Sequence, residues 1–178
     1  MPFDEFFIVA SGTIESSLDR SAVSGARRLH LQMGNIATFG GVIKDETPTV
    51  IEPDALFVEE WMRGNGIGRR LVRTLVVESR KLGVETIRGH IESQYALDIR
   101  ASIFGEQALK FFHDYPNRSI EEAPEQYTEL PITFSQARAS LVLAEESERD
   151  LDFREIGFDV EVDISGIDLA SPEWNRPI

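Results

Sequence analysis

There is no cysteine anywhere in the 178 residues, which excludes disulfides, thiolate metal sites and cysteine nucleophiles together. Lysine is scarce as well: of 18 basic residues only Lys44, Lys81 and Lys110 are lysines. No uninterrupted apolar run approaches the roughly 20 residues that a membrane helix needs. The first residues, Met1-Pro2-Phe3-Asp4-Glu5-Phe6-Phe7-Ile8, carry acid where a secretory leader carries positive charge. Metal-ligand spacing of the His-Glu-x-x-His kind and a Gly-x-Ser-x-Gly nucleophile elbow are both missing. What is present is 42% hydrophobic and 28% charged, with 11 Phe, enough apolar surface for a real core and too much for a disordered chain. These features predict a single domain over residues 1–178 and a cytoplasmic location.

The charge is unevenly placed. Residues 119–178 hold 15 acids and four Arg, a net of −11, whereas residues 1–118 hold 16 acids and 14 bases, a net of −2. Such a chain repels nucleic-acid phosphates and attracts cationic partners. No basic stripe of the length that duplex binding needs is visible. The acidic, strand-rich part at 119–170 is expected to give solvated strand faces and to help attract a cationic acceptor. The tail at 171–178 has no periodicity.

Patterning places the elements. Asp4 to Ala10 reads as an opening strand, and residues 11–27 hold only a weak helical pattern. Arg28 to Asp45 alternates, with Gly34-Asn35 as a hairpin turn. Thr49–Ile51 and Ala55–Val58 read as strands interrupted at Pro53. From Ile67, apolar residues recur at helical spacing through Leu71, Val72, Leu75, Val76 and Leu82, with Gly83 as the stop. Val84–Ile91 is the next strand. Two helical pieces follow, Leu97–Phe104 and Glu106–His113, then a loop over 116–131. Ile132–Phe134, Ala139–Ala144 and Phe158–Ile164 are the remaining expected strands. The last of these alternates apolar with acidic residues, which predicts one face on a core and one in water; such a strand could also pair across a homodimer.

The stretch that carries chemistry is Leu56-Phe57-Val58-Glu59-Glu60-Trp61-Met62-Arg63-Gly64-Asn65-Gly66-Ile67-Gly68-Arg69-Arg70-Leu71. A strand ends, three glycines fall within five residues, and a long amphipathic helix begins. Glycines let backbone amides approach an anion closely, and a helix N-terminus adds unsatisfied N–H groups and a positive dipole end. Gly68-Arg69-Arg70 lacks the Lys and hydroxyl of a Walker loop. Gly64-x-Gly66-x-Gly68 also lacks the spacing and the opening position of a dinucleotide fingerprint.

Arg63-x-x-Gly66-x-Gly68, between a hydrophobic strand and a helix, closely resembles the acetyl-coenzyme A signature of the GNAT superfamily of N-acetyltransferases. The resemblance covers a motif core of about residues 49–113. It implies an α/β fold, with a mixed, splayed sheet flanked by helices. It implies acetyl-CoA as acyl donor, with Val58 along the pantetheine arm. Arg63, Gly64, Asn65, Gly66, Ile67, Gly68 and Arg69 would lie around the pyrophosphate. The implied reaction is direct attack by an amine on the thioester, without a metal, with a base for the amine and an acid for the departing thiolate. The acceptor would be an amine-bearing small molecule or protein, not a membrane or a nucleic acid.

Candidate bases are Glu59, Glu60, His90 and Glu92. Alternation should turn one of Glu59 and Glu60 inward, and His90 lies near the end of the second motif strand; Glu60 and His90 are the preferred candidates. His30 and His113 stand without supporting context. In the family a tyrosine commonly serves as the acid, in a helix of the form Ala-x-x-Phe/Leu-Tyr. Ala108-Leu109-Lys110-Phe111-Phe112 resembles that sequence with Phe112 at the tyrosine position, leaving Tyr115 or Tyr95 to take the role. Residues 92–105 then read as an insertion between strand and helix. About 54 residues precede the motif strand, without the pair of helices typical of the family. The alternative reading is a catalytically inactive GNAT-fold binding module, of an assembly or a phage.

Overall fold

A computed structural model describes residues 13–21, 25–45, 47–113, 128–147 and 158–175. The expected opening strand over Asp4–Ala10 lies outside them. The chain divides into two compact units, Met1–Thr86 with Ile164–Ile178, and Ile87–Asp163. Helices and strands are mixed along it, an α/β chain. No described helix is long and apolar enough to cross a membrane.

The first unit is built on antiparallel strands β1 (Glu15–Arg20), β2 (Arg27–Met33) and β3 (Ala37–Lys44). The weak helical pattern expected over 11–27 is overridden here, because Ser16, Leu18 and Arg20 lie in register with Leu31, Leu29 and Arg27 of β2. The β2–β3 hairpin turns at Gly34, as its sequence predicts, with Met33 paired to Ala37. Alternation gives β2 and β3 one buried face each, Leu29, Leu31 and Met33 on β2 and Phe39 and Ile43 on β3, whereas every residue of β1 is exposed. Helix α1 (Ile67–Lys81) packs on β2 and β3. Its Leu71, Leu75 and Val76 are at most 1% exposed, and each such side chain contributes about 1.5–3 kcal/mol by leaving water. Gly83 ends the helix after Arg80 and Lys81, with the Val84 amide donating to the Ser79 carbonyl.

Strands β4 (Val50–Pro53) and β5 (Phe57–Val58) both pair antiparallel with β3, and their registers differ by one residue. Gly41 faces Pro53 and Thr38 faces Phe57. Phe39 and Gly40 therefore oppose three residues, Asp54, Ala55 and Leu56. That surplus is a β-bulge. The Asp54 amide keeps one bond across it, to the Gly40 carbonyl at 2.8 Å.

The second unit takes β6 (Thr86–Ile91) from Ile87 onward, with helix α2 (Gln94–Phe104), strand β7 (Lys110–His113), helix α3 (Phe134–Ser147) and strand β8 (Phe158–Asp163). A short helix, α4 (Pro172–Asn175), follows in the first unit. β7 and β8 pair antiparallel, and Phe111 meets Phe158 edge-to-face at 5.4 Å. β6 neighbours β8. Arg88 meets Glu161 and His90 meets Asp159, so one number rises as the other falls and this pair is antiparallel too.

Three expectations from the sequence change here. Residues 92–105 are not an insertion before a helix but hold the helix itself, α2. Its start is fixed by Ser93, whose Oγ accepts from the amides of Tyr95 and Ala96. The piece at 106–113 is a 3-10 turn followed by β7 rather than a helix. The strands expected at Ile132–Phe134 and Ala139–Ala144 give way to α3. Thr133 and Gln136 form a reciprocal cap there: the Gln136 amide donates to Thr133 Oγ1, and the Thr133 amide to Gln136 Oε1. Arg138 then ties α3 to α2 through both carboxylate oxygens of Asp98, at 2.8 and 3.1 Å.

Candidate functional site

The glycine loop lies wholly in the first unit, and local chemistry shapes it before any ligand is considered. After β5 a 3-10 turn runs over Glu60–Met62 and drives Met62 fully into the core. Arg63 Nε donates to the Val58 carbonyl at 3.1 Å, folding the turn back on β5. Asn65 Nδ2 donates to the carbonyls of Met62 and Arg63. Gly64 and Gly66 have φ of 81° and 76°, the left-handed region that side chains other than glycine enter at a cost. A Cβ at Gly64 would meet nothing within 4 Å, so it is the backbone conformation, not crowding, that calls for glycine there. Alternating left-handed residues of this kind turn successive N–H groups toward one concave side.

Gly66 is the N-cap of α1 and supplies no side-chain cap. The first intrahelical bond is from the Arg70 amide to the Gly66 carbonyl. The amides of Ile67, Gly68 and Arg69 therefore have no partner within the helix. The first turn of α1 has no acid and carries Arg69 and Arg70 instead. From Trp61 to Val77 there are four Arg and no Asp or Glu, in a chain of net charge −13. Cations at the positive end of a helix dipole are unfavourable by about 0.3–1 kcal/mol each. An anion bound at that end reverses the sign. A diphosphate, with its charge and its many acceptor oxygens, matches this donor set.

The second unit has its own polar cluster. His90 places Nδ1 3.4 Å from Asp159 and Nε2 3.4 Å from Glu92. Arg100 of α2 also interacts with Asp159; burial lowers the Arg100 pKa to about 10, and the Asp159 carboxylate offsets part of that loss. On the same strands Arg88 Nε donates to Glu161 at 2.6 Å. The acidic face of β8, expected in water, is instead largely covered: the side chains of Asp159 and Glu161 are each 18% exposed. Basic partners from β6 and α2 are the reason. Alternation alone does not reveal them, although Arg88 and His90, two residues apart on β6, are the signal that could have.

Residues 21–98 match the sequence profile of the Acetyltransferase (GNAT) family. This part of the chain belongs to the GNAT family. The GNAT match begins just ahead of β2 and ends inside α2, so it contains β2 to β6 and the whole glycine loop. No match was found among curated proteins. Solved structures similar to the chain include a Bacillus subtilis acetyltransferase in complex with CoA, at 14% identity over 85% of this chain and 99% of that one, TM-score 0.47. A second is a GNAT family acetyltransferase from Elizabethkingia anophelis with acetyl-CoA bound, at 8% identity over 85% and 97%, TM-score 0.47. A third is a chimera of the spermidine N-acetyltransferase SpeG from Vibrio cholerae with hSSAT, at 12% identity over 87% and 72%, TM-score 0.45.

Within the GNAT segment, the residues expected around a pyrophosphate, Arg63 to Arg69, form one continuous turn and helix start. Val58 is half-buried and paired with Ala37. Glu60 opens the 3-10 turn and is exposed, while Glu59 is more covered and its amide donates to the Ile36 carbonyl. His90 sits in the carboxylate cluster of the second unit. Tyr95 is 64% exposed in the first turn of α2, and Tyr115 lies outside the described residues. Phe112 lies on β7 opposite Asp159, not on a helix, so the resemblance of 108–112 to the helical tyrosine motif does not extend to its secondary structure.

Proposed function

We propose that the protein is an acyl-CoA-dependent N-acetyltransferase that moves an acetyl group from acetyl-CoA to an amine. The observation that carries this reading is the start of α1. Two left-handed glycines, three amides without helical partners and an acid-free, arginine-bearing turn fit a pyrophosphate and nothing of opposite charge. In this reading the amides from Arg63 to Arg69 hold the pyrophosphate, with Arg63 and Arg69 adding charge and Val58 lying along the pantetheine. Bound there, the thioester supplies an acyl group already activated toward amines. The C–N bond forms as the C–S bond breaks, one proton leaves the nitrogen, and one ends on sulfur. Glu60 or His90 takes the first proton, and Tyr115 is the candidate to deliver the second.

A second reading, a GNAT-fold module that binds without turnover, is favoured by one feature. Only six residues, 21–26, join β1 to β2, too few for a helical pair between those strands. Calorimetric titration with acetyl-CoA, with Gly66→Glu as control, tests the cradle. Wild-type binding that the variant lacks supports it, and equal behaviour of the two overturns it. Thiol release on addition of amines then separates an enzyme from a binding module.

A further inference from the structure

The polar residues of the second unit lie in two rows across β6, β8 and β7. In one row Arg88 meets Glu161 at 2.6 Å, and Lys110 stands opposite Glu161 on the other side. In the next row, two residues along each strand, His90 meets Asp159 at 3.4 Å, and Phe112 stands opposite Asp159. The first row is what an ion pair within a sheet needs: a permanent cation, close contact and a second base beside the carboxylate. The second row departs from it at both ends. A histidine stands where a guanidinium would pair more strongly, so this place holds a side chain that gains and loses a proton near neutrality. A phenyl ring stands in the lysine's place and contributes no charge.

We propose that Asp159 is a positioning residue for His90: it accepts a hydrogen bond from Nδ1–H, fixes the ring, and leaves Nε2 as the basic nitrogen for acetyl transfer. This role rests on the acyl-transfer reading above and says how His90 is made fit to be its base. In the reaction Nε2 takes one proton from the attacking nitrogen as the C–N bond forms. The electron pair of the C–S bond leaves with sulfur, which receives its proton from a separate acid. Asp159 stays a carboxylate throughout and stabilises the imidazolium that results.

Two carboxylates compete for the ring. Nδ1 faces Asp159 and Nε2 faces Glu92, both at 3.4 Å, so distance alone does not choose the tautomer. Burial does. The Asp159 side chain is 18% exposed and that of Glu92 58%. An exposed pair contributes about 0–1 kcal/mol and is screened by salt, whereas the same attraction strengthens as water is removed. The proton on Nδ1 is therefore the one held, and Nε2 keeps its lone pair. His90 is itself 33% exposed, which leaves the ring open to a substrate on its Glu92 side. Arg100 of α2 interacts with the same Asp159 carboxylate, so Asp159 is not held by the imidazole alone.

The test is long-range ¹H–¹⁵N spectroscopy of the full chain with ¹⁵N-labelled histidine, at a pH where the ring is neutral, with His90→Gln to assign the signal. The proton is expected on Nδ1, against the preference of a free imidazole, in wild type and in Glu92→Gln, and is expected to leave Nδ1 in Asp159→Asn. A proton on Nε2 of the wild type overturns the proposal, and that measurement needs no variant to fold. A purely structural pair would fix the tautomer equally well, so the reactivity of Nε2 is measured too. Diethyl pyrocarbonate modification of His90, followed by mass spectrometry, should be at least fivefold slower in Asp159→Asn, and Asp159→Glu should recover part of the loss. Saturating acetyl-CoA should slow the wild-type reaction at least fivefold. An unchanged rate in Asp159→Asn, or no shielding in a protein that binds acetyl-CoA, overturns the positioning role in acetyl transfer. Protonation at Nδ1 in a protein that does not bind acetyl-CoA by calorimetry overturns the acyl-transfer reading, and the part of His90 in it, while the hold of Asp159 on the ring stands.

Discussion

Asn65 Nδ2 donates to the Met62 carbonyl at 3.0 Å, and Met62 is fully buried. The asparagine thereby ties the glycine turn to the core of the first unit. A loop that must present its amides in one direction gains from such a tie, because ordering it on binding would otherwise cost affinity.

Asn65→Ala removes this bond and the 3.3 Å contact to the Arg63 carbonyl. A side-chain hydrogen bond of this kind contributes about 1 kcal/mol. The expected result is an acetyl-CoA affinity lower by about fivefold, read by calorimetry, with the helix content of the protein unchanged by circular dichroism.

Gly64 separates strain from crowding. Nothing lies near its missing Cβ, so Gly64→Ala should destabilise by about 1–2 kcal/mol through the left-handed conformation alone. Gly64→Asn should cost less, because asparagine enters that region more readily. Urea unfolding of the two variants gives the order directly. A larger loss for Asn would mean that space, not φ, governs the position.

Arg69 should show opposite effects on folding and binding. Arg69→Glu puts an acid at the positive end of α1 and should raise the stability of the ligand-free protein by about 0.3–1 kcal/mol. The same change should weaken acetyl-CoA binding at least tenfold. Thermal unfolding with and without acetyl-CoA measures both. A variant weaker in both respects would remove the electrostatic account of the loop.

The start of α3 rests on the reciprocal Thr133–Gln136 cap. Thr133→Ala should cost about 0.5–2 kcal/mol, and Thr133→Ser should recover most of it. Chemical denaturation of the three proteins decides the point, since a residue outside a cap would show no recovery with serine.

Arg100 gives a pH dependence whose sign follows from its burial. Its pKa falls below the ordinary guanidinium value, to about 10, in the folded chain. Between those values the unfolded chain holds the proton more tightly, so this group makes stability rise as pH rises above about 10. Arg100→Met should lack that component. The difference in unfolding midpoint between wild type and variant should therefore move in favour of wild type across that window, and a constant difference would contradict it.

Local rules acting over a few residues were enough for much of this molecule. The hairpin at Gly34, the break at Pro53, the helix Ile67–Lys81 with its stop at Gly83 and the alternating strand from Phe158 were all legible, because each is set by turn chemistry or by a period of 3.6 or 2. The expected strand at Ala139–Ala144 rested on a short apolar run, whose length alone does not separate strand from helix; the Thr133–Gln136 cap that starts α3 formed no part of that expectation. Ser93 likewise caps a helix where an insertion was expected.

By itself the sequence determined the glycine loop: the residues of Arg63–Arg69, their charge and the helix that follows lie within one contiguous stretch, so backbone preference suffices to shape it. Only the tertiary structure decided what lies across strands. The bulge at Asp54–Leu56 appears when the registers of β4 and β5 on β3 are compared. The cover over Asp159 comes from His90 and Arg100, 69 and 59 positions away. An open concavity joins Asp19, His30 and Thr38 of β1, β2 and β3 with Asp54 of the bulge. Strand pairing is non-local, and a one-residue change of register would move every one of those side chains to the other face.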